Sequence, residues 1–304
     1  MTVEEILKEF EQHPYLLSRG KRILRTRLKS DDKTIEKAKT IYYNREKKLP
    51  KILIFDIETA PIRAFVWSLW KQDIAWNHTS SDWFILAWSA KWLYSSEVFA
   101  EHLTSEEAKN EDDSRILKKL WELVNEADIV VTHNGNRADI PWINTRFILN
   151  GMNPPTPYFS VDTCEVARRT FAFTSNKLDA IASYFGIDNK LETDFSLWVK
   201  CLQGDKKALE YMSIYNIKDV QILEEVYLKL RPWIKNHPNC GNLIDATVPT
   251  CASCGSENVE LIEGQYYYTA VGKYPLYRCK DCGAISRGRK SILTSRPKLT
   301  SVGK

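Results

Sequence analysis

Residues 51–59, KILIFDIET, constrain this chain more than any other segment. Ile52 to Phe55 are apolar at every position, which suits a strand covered on both faces of a sheet. Alternate side chains on a strand share a face, so Asp56 and Glu58 converge at its end. Two carboxylates held together on a buried strand repel one another and lose hydration unless a cation lies between them. The competing reading is a solvated strand end that needs no ion.

Around this strand the pattern is that of an α/β protein. WFILAWSAKWL and SSEVFAEHL read as a second and a third strand, DSRILKKLWELVNEA as an amphipathic helix, and ADIVVTHNG as another short buried strand. Helix DIPWINTRFILNG, a last strand in YFSVDTCEVA and a series of helices follow, the longest being DKKALEYMSIYNIKDVQILEEVYLKL. That order predicts a mixed sheet flanked by helices. Ahead of it stand three helical stretches in a segment that is basic overall, VEEILKEFEQH, GKRILRTRLK and TIEKAKTIYYNREKK. Short helix, turn, basic helix outlines a helix-turn-helix DNA reader, and equally a helical hairpin that only packs. The expected limits are 1–49 for this segment, 50–240 for the α/β domain, 245–292 for a cysteine-bearing module and 293–304 for a flexible basic tail.

Net charge is only +4, but it is uneven. Residues 1–50 carry thirteen basic against eight acidic side chains and residues 245–304 nine against five, which leaves the middle acidic. An acidic centre between basic ends suits an enzyme that gathers cations centrally and holds a polyanion at its flanks. With 43% hydrophobic and 27% charged residues, disorder cannot be the main state. No apolar run approaches the roughly 20 residues of a membrane span, and MTVEEILKEF lacks the basic-then-apolar pattern of a secretory leader. A cytoplasmic protein is therefore expected, and from the architecture alone its setting is expected to be a bacterial cell or phage-infected host.

Two further acids qualify as partners for Asp56 and Glu58. Asp139, in VVTHNGNRADIPWI, stands after a short buried strand at the start of a helix, where its ordinary use would be as an N-cap. Tyr215 and Asp219, in YNIKDV, lie four apart and so on one helix face. Such a pair can share one ligand, or can simply mark an amphipathic helix with Tyr215 inside and Asp219 outside.

The order strand-end Asp-x-Glu, strand-to-helix Asp, helical Tyr-x-x-x-Asp resembles the tyrosine subclass of the DEDD exonuclease superfamily, which includes the proofreading domains of DNA polymerases. FDIETAP, HNGNRADIPWI with Asn134 five residues before Asp139, and KLDAIASYFGI carry the resemblance over residues 50–235. One position departs from it, Ala138, where the family usually has Phe or Tyr. The resemblance implies an RNase H-like fold and two Mg²⁺ or Mn²⁺ ions. One ion would be shared by Asp56, Glu58 and Asp219, and the second held by Asp56 and reached by Asp139 through its water shell. Tyr215 would align the attacking water, and the product would be a nucleoside 5′-monophosphate. Thr59 and Asn134 are expected at the substrate. Of the tryptophans at 67, 70, 76, 83, 88 and 92, Trp67 and Trp70 are the candidates for stacking on unpaired bases, while the rest are expected to pack.

Seven cysteines cannot all pair, and four of them form Cys251-x-x-Cys254 and Cys279-x-x-Cys282. Two such pairs match a closed tetrahedral Zn²⁺ site, the pattern of a zinc ribbon, whereas a redox pair needs only one. Cys164, Cys201 and Cys240 are left as core residues. The resulting expectation is a 3′→5′ exonuclease whose partner is nucleic acid, DNA before RNA, with replication or repair proteins as possible associates. The alternatives are an RNA exonuclease of the same fold, or a catalytically silent DNA-binding regulator using the helical head and ribbon.

Overall fold

The structure, a computed structural model, describes residues 1–13, 16, 21–35, 38, 49–187, 191–244 and 246–293. Residue contacts divide the chain into Met1–Leu49 and Pro50–Lys304. In the first unit, α1 (Val3–Gln12) starts at a capping box in which Thr2 and Glu5 satisfy each other's backbone N–H groups. With α2 (Lys21–Leu28) it buries an apolar cluster of its own, including Ile6, Phe10, Leu24 and Leu28. Most of the third helix expected from TIEKAKTIYYNREKK lies outside the described residues, as does the tail from 294 onward.

The second unit is built on β1 (Ile52–Thr59). Its Leu53, Phe55 and Ile57 face one core cluster, and its Ile52 and Ile54 face another. A strand apolar at both parities thus has helices on both sides, as its composition requires. A two-stranded excursion, β2 (Arg63–Ala64) with β3 (Thr79–Ser81), precedes β4 (Ile85–Trp92) and β5 (Phe99–His102). Helices α3 (Ser105–Asn110) and α4 (Ser114–Glu126) then lead into β6 (Ile129–Thr132), α5 (Asp139–Leu149) and β7 (Phe159–Asp162).

The sheet order is β5-β4-β1-β6-β7. The β4 and β5 pairings are antiparallel, and those of β6 with β1 and β7 are parallel. This is the mixed, helix-flanked sheet that the sequence predicts. The expected second and third strands are β4 and β5; the short β2–β3 pair was not foreseen. Its strands are two and three residues long, too short for an alternation signal.

Four helices follow: α6 (Thr163–Thr170), α7 (Leu178–Tyr184), α8 (Phe195–Leu202) and α9 (Lys206–Leu230). Asp205 caps α9 through Ala208 N–H, and buried Met212, Tyr215, Asn216, Asp219 and Val220 carry its inward stripe at helical spacing. A one-turn α10 (Cys240–Leu243) leads to a three-stranded sheet of β8 (Val259–Thr269), β9 (Gly272–Cys279) and β10 (Ile285–Arg287). No helix among the described residues is long and apolar enough to cross a membrane.

One buried ion pair ties three of these elements together. The Asp113 carboxylate, wholly buried ahead of α4, accepts two bonds from Arg146 of α5 at 2.6 and 2.7 Å and one from Ile85 N–H of β4 at 2.9 Å. Removing one partner of such a pair strands the other charge in the interior. Arg146→Ala should therefore lower stability by about 3–5 kcal/mol in urea titrations. The double replacement Asp113→Asn/Arg146→Met, which leaves no charge behind, should cost clearly less.

Candidate active site and cysteine cluster

On the face of β1 that carries Ile52 and Ile54, the next two positions are Asp56 and Glu58. Parallel pairing with β6 reaches only Ile54↔Val131, so β1 runs on past its neighbour and presents the two acids beyond it. On the other side β4 continues alongside, until the register shifts between Glu58 and Thr59. Bulges of this kind re-aim side chains at strand ends. Helix α9 packs against β1 and β4 and adds Asp219. One oxygen from each of Asp56, Glu58 and Asp219 lies within 4.8 Å of the others. The structure therefore brings these three predicted acids together, and Asp219 is buried rather than on an exposed helix face.

Asn216 fixes this arrangement. Its Nδ2 donates to Asp56 Oδ2 at 2.6 Å, and its backbone carbonyl accepts from Ser89 Oγ at 2.8 Å. One residue of α9 thus locks the helix to β4 and orients the acid on β1. Tyr215 is 6% exposed, with the Trp198 ring edge-on at 6.4 Å, and it lines the same cleft as Asp56, Glu58 and Asp219. That cleft has a volume of about 830 Å³, and Lys177, Asp179 and Glu192 form part of its wall.

Asp139 takes a different position from the other three acids. It is the first residue of α5, and the helix has no side-chain cap, so the N-cap reading of this aspartate does not describe it. Its Oδ1 instead accepts from Ile57 N–H at 3.4 Å, between Asp56 and Glu58 along β1. Burial pushes its carboxyl up to about 7. Gly135 makes the approach possible: a Cβ there would lie 2.4 Å from Thr132 Oγ1 and 2.9 Å from Asp139 Oδ2. The preceding turn is held by Asp162, whose carboxylate accepts from the N–H groups of Asn134, Asn136, Cys164 and Glu165 at 2.8–3.2 Å.

Asn134 sits in the left-handed region at φ 66° and is anchored by this backbone bond. Thr59 continues β1 opposite Ile85. Neither belongs to the cleft wall as described. Trp67 and Trp70 are 98% and 83% exposed on the β2–β3 excursion, and Trp76 is as open, whereas Trp88 is core. Sequence reasoning missed Asn216 and Asp162. Asn216 stands beside Tyr215 within YNIKDV, and a polar residue in the apolar stripe of a helix was its only signal. Asp162 precedes a helix and reads as a plain N-cap, which it also is.

The four paired cysteines form the second cluster, all Sγ atoms lying within 4.8 Å. Cys251–Cys282 and Cys254–Cys279 Sγ separations are 3.6 Å, far from a disulfide bond and near the roughly 3.8 Å edge of a tetrahedron with 2.3 Å Zn–S bonds. Each Cys-x-x-Cys closes on the same turn. Gly255 N–H donates to Cys251 O and Gly283 N–H to Cys279 O, with both glycines at positive φ. Cys251 N–H and Cys279 N–H then donate to Ser256 O and Ala284 O. The Cys251–Cys254 hydrogen bond favours a thiolate at Cys251 and holds the proton on Cys254. This donor set and spacing fit a tetrahedral zinc ion, and three clustered carboxylates fit a hard divalent cation. Cys164, Cys201 and Cys240 are buried.

A raised carboxyl pKa is a stability term with a defined sign. Asp139 costs nothing in the metal-free fold below its unfolded pKa near 3.8, and its cost grows until pH passes about 7. Metal-free Asp139→Asn should therefore melt above wild type at pH 8. The gap in thermal midpoint should close as pH falls toward 4.

Residues 87–231 match the RNase_H superfamily, in its RNase_H_2 family, a segment that holds Asp139, Tyr215 and Asp219 but begins after Asp56 and Glu58. A stretch of 162 residues, 52% of the chain, is 27% identical to a PolC-type DNA polymerase III of Ureaplasma parvum serovar 3, covering 11% of that protein. The chain thus spans about a tenth of this relative. Among solved structures, a family B DNA polymerase from the archaeon Pyrobaculum calidifontis superposes with a TM-score of 0.45 at 15% identity, over 73% of this chain and 32% of that one. The mixed, helix-flanked sheet is consistent with an RNase H-like fold, and the chain has weak sequence similarity to a PolC-type DNA polymerase.

Proposed function

We propose that this protein is a metal-dependent 3′→5′ exonuclease acting on DNA ends. The observation that carries the reading is the convergence of Asp56, Glu58 and Asp219 within 4.8 Å, in a cleft that Tyr215 also lines. An RNase H-like domain with such a cluster suits phosphodiester hydrolysis. The 3′→5′ direction follows from the motif order shared with DEDD exonucleases, and the preference for DNA from the similarity to a DNA polymerase.

Divalent cations on hard oxygen ligands would supply charge neutralisation at the phosphoryl group and a lower pKa for the attacking water. The protein's own residues have separate tasks. Asn216 keeps Asp56 in one rotamer, so the acids need no reorganisation when the phosphate arrives. The Tyr215 hydroxyl orients the water for in-line attack on phosphorus. The bond from phosphorus to the 3′ oxygen breaks, that oxygen takes up a proton, and a nucleoside 5′-monophosphate leaves. Asp139, held on Ile57 N–H, is the outer acid of the set. Trp67 and Trp70 offer exposed faces for the unpaired bases of the end being digested. The four cysteines would hold one structural zinc ion, which leaves no open position for chemistry.

With 5′-labelled single-stranded DNA and RNA and added Mg²⁺, wild type should give a ladder shortening from the 3′ end, faster on DNA. Asp219→Ala should abolish it, and Tyr215→Phe should lower kcat about a hundredfold with little change in KM. Intact binding without a ladder on either substrate would sink the exonuclease and favour a DNA-binding regulator. Elemental analysis should find one zinc per chain in wild type and none in Cys254→Ser. Stripping zinc should also release the β8–β10 sheet to proteolysis, while the β1 sheet persists.

A further inference from the structure

The three-stranded sheet that carries the second cysteine pair has two faces with different surroundings. Residues opposite each other in an antiparallel pair share a face, as do alternate residues along a strand. Tyr267 pairs with Tyr274, Arg287 with Leu276, and Ile285 with Arg278, which puts all six on one side. The other side carries Pro275, Tyr277 and Ser286, which line a cavity of about 440 Å³ together with residues of the 239–252 segment and the chain from Arg287 to Ile292, so that Arg287 borders this cavity as well. Ser286 Oγ also accepts from Ala252 N–H at 3.2 Å. That side is seated on its own chain around Pro275 and Tyr277, although Tyr268 at its far end is 65% exposed, while on the first side Tyr267 is 48% and Ile285 51% exposed.

Both faces set a cation on rings, Lys273 over Tyr266 at 3.7 Å on the other side, but the first face does so with arginine. The Arg287 guanidinium carbon lies 4.5 Å from the Tyr274 ring centre and 5.5 Å from that of Tyr267, a cation stacked on aromatic surface. Arg278 extends the cationic row toward the cysteines. Glu260, opposite Arg278 at the end of the face, is already matched by Lys280 Nζ at 3.2 Å. Residues 272–292 contain six Lys or Arg against the single acid Asp281. A face that sets two rings beside two guanidinium groups offers bases a stacking surface and phosphates a countercharge. A purely acidic partner would have no use for the rings, and an apolar partner none for the arginines.

We propose that this face is a binding site for single-stranded nucleic acid, with Tyr267 and Tyr274 stacking on bases and Arg278 and Arg287 meeting the phosphates. The site lies on the cysteine-held sheet, away from the carboxylate cleft in the sequence, and does not require the carboxylates to be catalytic. Binding is measured by fluorescence anisotropy on the full-length Asp219→Ala protein, so that digestion plays no part. The probes are an oligothymidylate and an abasic phosphodiester strand of equal length. The parent should favour the oligothymidylate at least about tenfold. Tyr267→Ala/Tyr274→Ala should erase that preference with zinc content unchanged. Tyr267→Ala alone, at a half-exposed position, should reduce it and serves if the double variant loses zinc. Arg278→Gln/Arg287→Gln should weaken both probes and flatten the salt dependence. Equal affinity for the two probes, or a base preference that survives the tyrosine changes, overturns the proposal. So does displacement of the oligothymidylate by polyglutamate at equal charge concentration, which would make the surface a protein contact.

Discussion

Bringing three carboxylates within 4.8 Å, one of them buried, is the constraint on which the arrangement of the second unit turns. Like charges at that distance repel, and a protein interior screens them poorly. Such a group is tolerated only where rigid elements hold it against its own repulsion. Here β1, flanked by β4 and β6 and covered on both faces, supplies two of the acids, and α9 supplies the third. Asn216 joins the two supports by bonding an acid of one and belonging to the other. The apolar residues before Asp56 thus do more than fill the core. They make the strand stiff enough to end in charge.

Much of this is legible from residue order. The doubly apolar run at 52–55 calls for a strand covered on both sides, and the Asp-x-Glu spacing puts both acids on one face; each follows from period-two geometry alone. The Tyr-x-x-x-Asp spacing does the same for α9 with period 3.6. The Cys-x-x-Cys pairs with trailing glycines are equally transparent, because turn and ligand set are both local. What stays hidden is contact across distance. Nothing near residue 162 indicates that its carboxylate gathers the turn at 134–136 as well as its own helix. Nothing near residue 139 indicates that its oxygen will meet the peptide of Ile57, 82 residues earlier. Side chains whose partners are backbone N–H groups leave little compositional trace, since any residue can be the donor.

The tryptophans show where composition misleads. Six of them between residues 67 and 92 look alike as sequence, yet Trp88 is sealed in the core while Trp67 and Trp70 stand almost wholly in solvent. The difference is topological. Trp88 lies in β4, inside the sheet, whereas Trp67 and Trp70 lie on an excursion whose strands pair only with each other. Exposed aromatic surface on that scale carries a cost in water, which is why it points to a surface used for binding.

The irregularity between Glu58 and Thr59 has one more consequence. A sheet's inward–outward alternation cannot detect a slip of two residues, because every side chain then returns to its own face. Were β1 to slide by two against β4, Ile54 would stand where Asp56 now stands, and the apolar pattern would raise no objection. Leu86 of β4, skipped between the partners of Glu58 and Thr59, breaks that translational symmetry. It acts as an index mark, giving β1 and β4 a single alignment and fixing the height of the acids along the strand as well as the side they face.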